Sequence, residues 1–356
     1  MRFLTADFIF SPGEGFFRDA LLIVEEDGTI KELVLVPDRS QLELAEKFSG
    51  AICPGFVNAH CHLELSHMLG KVKQHTGFVG FAKELIPQRN YVDDAVISEI
   101  ACKADAAMFE NGINGVGDIS NNQTSFAAKE KSKIQYHTFV ELLGLNPAIA
   151  EKQFVEGLAL KKISPKPNSL SPHAPYSVSS ELLRRIRDEE KGYCPVTIHN
   201  QESLAESEFT QFGTGEVLGL YHFFGTDISW HSPSGKNSLQ TFLPNLSGDF
   251  NLLLVHNTFT GSEDVQFANS LQQNLYWCLC PNANVYIENA LPDVAMMISS
   301  NCKFVVGTDS LASNHSLSIL DELKTLHKVF PEIPISDLLT WATKNGVELF
   351  SLELRD

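Results

Sequence analysis

Eight short apolar runs, several of them ending in polar residues, are the feature of this sequence that most restricts its fold. They alternate with amphipathic stretches such as 92–111 and 148–163, and a further one at 319–329 follows the last run. This alternation is typical of a βα-repeating fold with a parallel sheet. The count of eight and the length of 356 residues favour a closed (β/α)8 TIM barrel over an open, doubly wound sheet. The runs are AICPGFVNAH, GINGVGDIS, YHTFVELLG, NSLSPHA, VTIHNQE, FNLLLVHN, LYWCLCP and KFVVGTDS.

The first 50 residues follow a different pattern, with short β-rich runs and the turn signals Pro12-Gly13 and Asp27-Gly28. We therefore predict an α/β chain with a small β-sandwich-like domain at 1–50, a barrel at 51–350 and a C-terminal end at 351–356. The segment Glu206–Leu246 is the longest and least regular, and it predicts a lid-like loop insertion.

Composition excludes several classes of protein. Asp and Glu number 44 against 27 Lys and Arg, and the net charge of −17 argues against nucleic-acid and anionic-membrane partners. No apolar run approaches the roughly 18 residues of a membrane span, and the start MRFLTADFIF does not resemble a signal peptide. Seven scattered cysteines without a CxxC pair suit a reducing, cytoplasmic location. The oligomeric state is left open, a homodimer included.

Ionisable residues stand at the carboxyl ends of five of the apolar runs. An unpaired polar group in a buried strand costs several kcal/mol, so these positions need an explanation. In a (β/α)8 barrel the carboxyl ends of the strands build the active site. We therefore expect six side chains to converge on one mouth: His60, His62, His173, His199, His256 and Asp309.

The pair His60-x-His62 is the strongest local signal. Residues i and i+2 at a strand end point the same way, so both imidazoles can reach one ion. Taken alone, the pair could equally be two solvated loop histidines. Together with His199 and Asp309 it offers three nitrogens and one carboxylate, a set that suits Zn²⁺ or Fe²⁺ better than Mg²⁺ or Ca²⁺.

Three further residues have a functional and a structural interpretation. Glu202, three positions after His199, is either a proton shuttle or a carboxylate at a helix N-terminus. His256 either hydrogen-bonds the reacting water or substrate or is a satisfied core histidine. His173, between Pro172 and Pro175, either contacts substrate or belongs to a structural turn.

Weaker candidates receive ordinary structural interpretations. Cys278-x-Cys280 predicts strand packing rather than a metal pair, because no second cysteine pair accompanies it. Ser310 and Ser313 follow Asp309, but no base at a fixed spacing supports a serine nucleophile. The remaining histidines are predicted to lie on the surface or in loops: His67, His75, His137, His222, His231, His315 and His327.

The ordered motifs PGFVNAHCHLELS, SPHAPYSVS, TIHNQE, LLVHN, CPNAN and GTDSLASN resemble those of the amidohydrolase superfamily, in its adenosine-deaminase-like, single-metal branch. The resemblance covers 51–350. Within the branch, HxHLExS and CPNANVYIENALPD look most like aminodeoxyfutalosine deaminases, with S-adenosylhomocysteine deaminases next.

The resemblance implies roles for the candidate residues. It implies that His60, His62, His199 and Asp309 ligate one divalent metal, that Glu202 and His256 assist the water, and that His173 touches the substrate. Asp309 is expected to act in proton transfer as well, and Glu64 is a further candidate for substrate contact. A second metal would need a bridging residue, for which Glu141 is the candidate; we favour one ion.

Family members usually continue into a GSLExGKxADLVL segment that completes the small domain. This sequence ends at SLELRD, ten residues after Gly346. The expectation is a sandwich reduced to its N-terminal half, or a sequence that lacks its natural tail.

The expected function is metal-dependent release of ammonia from an amino-purine nucleoside, with 6-amino-6-deoxyfutalosine of menaquinone biosynthesis as the preferred substrate. Adenosine, S-adenosylhomocysteine and guanine are alternative substrates, and a chlorohydrolase-like reaction on a triazine is an alternative reaction. A metal-binding scaffold without catalysis is disfavoured because Glu202, His256 and Asp309 are all present. Phe81 and the aromatic residues Tyr221, Phe223, Phe224 and Trp230 are candidates to cover a bound base.

Overall fold

The N-terminal segment forms its own five-stranded sheet in the computed structural model, which describes residues 1–26, 28–192 and 194–352. The order β2-β1-β3-β4 is antiparallel, and β5 pairs in parallel with β1. The predicted Asp27-Gly28 turn falls between β3 and β4, but Asp27 lies outside the described residues. The strands are β1 Arg2–Ser11, β2 Gly15–Phe17, β3 Leu21–Val24, β4 Ile30–Val34 and β5 Glu46–Ile52.

Each of the eight predicted apolar runs contains a strand, and the strands pair in parallel in sequence order. The ring closes at two junctions. His199 N–H donates to His173 O at 3.0 Å, and the N–H groups of Thr308 and Asp309 each donate to His60 O at 3.0 Å. The predicted barrel is confirmed. Its strands are β6 Phe56–Cys61, β7 Ile113–Ser120, β8 Gln135–Leu142, β9 Asn168–Pro172, β10 Val196–Asn200, β11 Leu252–His256, β12 Leu275–Leu279 and β13 Phe304–Val306.

Helices surround the barrel, and the three predicted amphipathic stretches correspond to α3, α5 and α13. Short 3₁₀ turns occur at Leu63–Met68 and Pro147–Ile149. The helices are α1 Arg39–Leu44, α2 Gly77–Gln88, α3 Asp94–Glu110, α4 Phe126–Lys131, α5 Ala150–Ile163, α6 Ser180–Glu189, α7 Leu204–Phe212, α8 Glu216–Phe223, α9 Ser238–Leu246, α10 Ser262–Leu271, α11 Pro281–Glu288, α12 Val294–Ser299, α13 Ile319–Val329, α14 Ile335–Ala342 and α15 Lys344–Phe350.

The prediction of an irregular loop at Glu206–Leu246 is wrong for most of its length. The segment contains most of α7 and all of α8 and α9, and regular structure is lacking at 213–215 and 224–237. Two local helix caps explain why the segment forms helices instead of the predicted loop. Gly213, at φ +69°, ends α7 in the left-handed conformation, and the Asn237 side chain accepts from Gln240 N–H at the start of α9.

Side chains fill the barrel interior, and a cavity lies at its carboxyl end. Val57, Phe139 and Val255 belong to one buried cluster with Phe350 of α15. The rings of Phe139 and Phe350 lie with centroids 6.0 Å apart, so α15 closes the amino-terminal end of the barrel. A second cluster joins α2, α8 and α11 through residues such as Phe78 and Leu220, above the carboxyl ends of the strands.

None of the helices in the described part of the chain is both long enough and apolar enough to cross a membrane.

Candidate active site

Four of the predicted residues meet at the barrel mouth. His62 Nε2 lies 3.2 Å from His60 Nε2 and 3.3 Å from His199 Nε2. Asp309 Oδ1 lies 3.4 Å from Nε2 of both His60 and His62. All four side chains are buried, and the four together form a group able to hold a metal ion.

The spacing of these atoms fits the ligands of one ion. Bonds of about 2.0–2.1 Å to one ion place neighbouring ligand atoms about 2.8–3.4 Å apart, a range that contains the four distances given above. Burial holds the pKa of His62 and His199 well below the usual histidine value, so both are neutral and can offer lone pairs. Three nitrogens and one carboxylate are donors that suit Zn²⁺ or Fe²⁺.

A backbone hydrogen bond orients His199. Its Nδ1–H donates to His173 O at 2.7 Å, which leaves Nε2 as the atom that faces the other ligands. A second group of possible ligands combines Glu141, His173 and His199. Since Nδ1 of His199 is engaged by this hydrogen bond, the second group competes with an existing contact.

The backbone at Asp309 has an uncommon conformation. Its φ is +57°, in the left-handed region that few non-glycine residues adopt. The Ser313 hydroxyl donates to Asp309 Oδ2, which keeps the second oxygen of this carboxylate away from the histidines. Two positions earlier, a Cβ on Gly307 would lie 2.8 Å from His60 Cβ, so glycine is needed for β13 to approach β6 here.

Glu202 and His256 line the same cavity as three of the four possible ligands, His62, His199 and Asp309. Burial raises the pKa of Glu202 to about 7, so this carboxyl can be protonated near neutral pH. Its Oε1 lies 3.8 Å from His256 Nε2. His256 Nδ1–H donates to Asn284 Oδ1 at 2.8 Å, which directs Nε2 toward the cavity. The sequence did not identify Asn284 as a partner of His256, although it lies in the CPNAN motif.

A buried carboxylate shapes the turn that carries Glu202. Glu206 Oε1 accepts from Gln201 N–H at 2.9 Å, and Oε2 accepts from Glu202 N–H at 3.4 Å. Gln201 has φ +44°, so the chain reverses sharply between β10 and α7. This reversal lets His199 and Glu202 both face the cavity.

His173 also lines the cavity. Its Nδ1–H donates to Ser177 Oγ at 2.6 Å, because that hydroxyl donates in turn to Ala174 O. Burial and the nearby Arg89 charge lower the pKa of His173 to about 4. The imidazole is therefore neutral and leaves Nε2 as a hydrogen-bond acceptor.

Glu64 lies behind the cavity wall instead of lining it. Its carboxylate accepts from Arg89 Nη2 and from Asn121 N–H, each at 3.0 Å. Arg89 does line the cavity and also donates to Asn121 Oδ1 at 3.0 Å, while Asn121 Nδ2 donates to Glu141 Oε2 at 2.8 Å. Glu64 thus reaches the cavity through Arg89, which sequence reasoning missed because its partners lie far away in sequence.

The cavity has a volume of about 310 Å³ and is enclosed largely by apolar side chains. Of the predicted covering aromatics, Phe81, Tyr221 and Phe224 line it, whereas Phe223 and Trp230 do not. A partly enclosed, largely apolar space into which polar groups converge is typical of a small-molecule site. Its lining includes His62, Leu65, Phe78, Phe81, Leu85, Arg89, Asn121, Glu141, Leu143, His173, Tyr176, His199, Glu202, Leu220, Tyr221, Phe224, His256, Asp309 and Ser310.

Two histidines contradict the prediction of surface or loop positions. His67 is buried, with Nε2–H donating to Arg89 O at 2.9 Å, and His137 is buried against Ser169. A lone histidine carries no sequence signal for such partners. Cys278 and Cys280 are buried with their Sγ atoms 3.9 Å apart, as packing residues would be.

Comparison with known proteins supports the same interpretation. The chain is 27% identical to the aminodeoxyfutalosine deaminase of a Nitratiruptor species, over 93% of this chain and 81% of that protein. Among solved structures, Helicobacter pylori aminofutalosine deaminase in complex with methylthio-coformycin superimposes with a TM-score of 0.81 at 24% identity. That match covers 99% of this chain and 88% of the other.

A more distant fold neighbour is an adenosine deaminase from Xanthomonas campestris with bound zinc. It has a TM-score of 0.68 at 17% identity and covers 98% of this chain and 80% of the other. The sequence model of the amidohydrolase family matches residues 51–354. The predicted family and the predicted enzyme class, a hydrolase acting on carbon–nitrogen bonds in cyclic amidines, are thereby confirmed, and the chain belongs to the amidohydrolase family.

Proposed function

We propose that this protein is a metal-dependent hydrolytic deaminase that releases ammonia from an amino-purine nucleoside. One observation carries the proposal: Glu202, whose pKa burial raises to about 7, faces His256 beside the four-ligand group in a partly enclosed cavity. A proton donor and a hydrogen-bonding imidazole beside a metal site are the groups that hydrolysis of an amidine-like carbon requires.

His60, His62, His199 and Asp309 would hold one divalent ion, zinc first and iron second. The donor set and the short separations between its atoms support this assignment. When bound, such an ion acts as a Lewis acid and makes a hydroxide nucleophile available near neutral pH.

The side chains around this site move the protons. Asp309 would accept the proton of the attacking water, while His256 Nε2 orients the water toward the carbon that carries the amine. Glu202 begins protonated and gives its proton to the adjacent ring nitrogen, which spares the ring a full negative charge. The new carbon–oxygen bond would form and the carbon–nitrogen bond would break, with ammonia leaving with the proton that Asp309 accepted. The remaining proton of the new hydroxyl would return to Glu202, which restores its protonated form.

Substrate contacts would come from His173 and, indirectly, from Glu64. The neutral His173 imidazole offers an acceptor to the bound nucleoside, and Glu64 holds Arg89 in the cavity wall. Phe81, Tyr221 and Phe224 would pack against the base or its substituent.

The best substrate candidate is 6-amino-6-deoxyfutalosine, for which the Nitratiruptor relative provides support. Adenosine, S-adenosylhomocysteine and guanine are the alternative substrates, and triazine hydrolysis is the alternative reaction. The decisive experiment follows ammonia release by the zinc-loaded protein on these compounds, with chloride release followed for a chlorotriazine. We expect the highest kcat/KM with 6-amino-6-deoxyfutalosine. Chloride release without any ammonia would overturn the reaction class.

Two wider assignments accompany this proposal. We propose a small domain that ends at Ile52, where β5 ends two residues beyond the predicted boundary, and a barrel that extends to residue 350 with a C-terminal end at 351–356. Of that end, residues 353–356 lie outside the described residues. All seven cysteines are unpaired, which supports the proposed cytoplasmic location.

A further inference from the structure

A buried ion pair lies next to the turn that carries His62. Lys129 Nζ of α4 is 2.6 Å from Asp118 Oδ2 of β7, and both side chains are 0% exposed. Burying two charges costs several kcal/mol per ion, and apolar replacements of such pairs are often as stable or more stable. Stability alone is therefore a weak explanation for the pair.

The second oxygen of Asp118 has a specific task. Oδ1 accepts from the backbone N–H of Leu63 at 2.7 Å, and Leu63 directly follows His62. Leu63 is the first residue of the 3₁₀ turn Leu63–Met68, and no side chain of the preceding residue caps that turn. Asp118 thus satisfies a helix-terminal donor that would otherwise lack a partner.

The strand ladder is irregular at this point. The pairing of β6 with β7 shifts between Asn58 and Cys61, close to where the histidines leave the strand. Lys129 also donates to Ser120 Oγ at 2.8 Å and to Thr138 Oγ1 at 3.3 Å, so contacts on β7 and β8 hold its ammonium group. A fixed ammonium in turn fixes the Asp118 carboxylate.

We propose that Asp118, held by Lys129, is a positioning residue that sets the placement of His62 in the metal site. It touches neither ligand atoms nor substrate. Its contact with Leu63 N–H fixes the backbone at the position where the His62 imidazole turns toward its three neighbours. The inference rests on the proposed metal site and is independent of the proposed substrate.

Two double variants separate the hydrogen bond from the charges. D118N/K129M removes both charges but keeps an oxygen that can accept from Leu63 N–H, whereas D118L/K129M removes the acceptor as well. Zinc affinity is measured by competition with a chromophoric chelator, and ligand geometry by the visible absorption of the cobalt-substituted protein. We expect D118N/K129M to retain most of the wild-type zinc affinity, because an acceptor for Leu63 N–H remains although the ammonium that holds it is gone. D118L/K129M should bind it about 10–100-fold more weakly and show a changed cobalt spectrum, the size of effect typical of outer-shell partners.

The pair Lys161–Glu190 provides a matched control. Glu190 Oε1 likewise accepts from a lysine and from a strand N–H, that of Leu170 at 2.8 Å, but it lies away from the four ligands. K161M/E190L should lower thermal stability without changing zinc affinity or the cobalt spectrum.

Wild-type zinc affinity and an unchanged spectrum in D118L/K129M would overturn the inference. If that variant does not fold, D118A/K129M removes the same acceptor with a smaller side chain and is judged by the same criterion. Loss of affinity in D118N/K129M equal to that in D118L/K129M would also overturn it, because the charges would then matter and the hydrogen bond would not. A wild-type chain without tight zinc binding would instead refute the metal site itself.

Discussion

The two halves of the barrel direct their side chains by different means. After β6 and β7, side chains hold the backbone: Asp118 accepts from Leu63 N–H, and Glu64 accepts from Asn121 N–H. The second half also has such a carboxylate, Glu206, but at or just after its strand ends it adds four residues in the left-handed backbone region. These residues, with φ between +44° and +73°, are Gln201, His256, Asn257 and Asp309.

The difference has an energetic meaning. A non-glycine residue in a strained backbone region costs about 1–3 kcal/mol and persists only where its surroundings determine it. Here those surroundings include Glu206 below Gln201 and Asn284, whose Nδ2 donates to His256 O at 3.2 Å. The strained half carries Glu202, His256 and Asp309, the proposed proton-transfer residues. Backbone strain is therefore concentrated where a proton must be delivered to a defined atom.

Metal removal should have the largest effect, since it affects both halves. Dialysis against a strong chelator should reduce ammonia release to background and lower Tm, because four buried donors lose their shared partner. Restoring one equivalent of zinc per chain should restore both, as measured by elemental analysis, activity and calorimetry. Full activity in metal-free protein would contradict the proposed mechanism.

The second-largest effect is expected when Glu202, the proposed proton donor of the strained half, is replaced. Glu202→Gln should lower kcat about 10²–10⁴-fold, since Gln keeps the shape but cannot deliver a proton. Metal content should stay at the wild-type level because Glu202 is not a ligand. Wild-type turnover in this variant would remove Glu202 from the mechanism.

A smaller loss of kcat is expected when the hydrogen bonds that hold the turn at Glu202 are weakened. Glu206→Gln places an amide donor against a backbone N–H, and an unpaired buried donor costs about 1–3 kcal/mol, or roughly 5–150-fold in kcat. Zinc content should not change. Glu208→Gln is the control on the same helix, where the side chain is exposed, and it should retain wild-type kcat.

The smallest expected effect is a change of kcat with pH. The pKa of Glu202 is raised to about 7, so its catalytically competent protonated form is lost as pH rises through that value. We expect kcat to fall about tenfold per unit above pH 7, and Glu202→Gln to lack this limb. A raised carboxyl pKa also means that the folded state loses stability, relative to the unfolded chain, as pH rises from 4.5 to about 7. A wild-type kcat that is flat from pH 7 to 9 would contradict the assignment.

The apolar runs and the ionisable residues at their ends made the barrel and most of the candidate site predictable. Each apolar run contains a barrel strand, and the six ionisable residues at their ends lie at one mouth, because parallel strands bring their carboxyl ends together. It was harder to predict which aromatic side chains line the cavity. Phe224 lines the cavity and neighbouring Phe223 does not, a difference that depends on how α8 packs against α2.

Contacts between residues that are far apart in sequence could not be predicted from the sequence. Arg89 is placed by Glu64 and Asn121, and Asn284 by His256, through hydrogen bonds between side chains far apart in sequence. Glu64 itself was expected to contact substrate, but it lies behind Arg89, which lines the cavity. Helix caps such as Asn237 are local signals that the loop prediction for Glu206–Leu246 did not use.

Closure of the barrel between β6 and β13 also affects how the protein is made. Asn58 Nδ2 donates to Thr308 Oγ1 at 2.7 Å across 250 positions of sequence, next to ligands from both ends of that span. On the ribosome, His60 and His62 emerge long before Asp309 is synthesised. The complete four-residue group cannot form before β13 has been translated, so an ion held by all four side chains would bind only after that point.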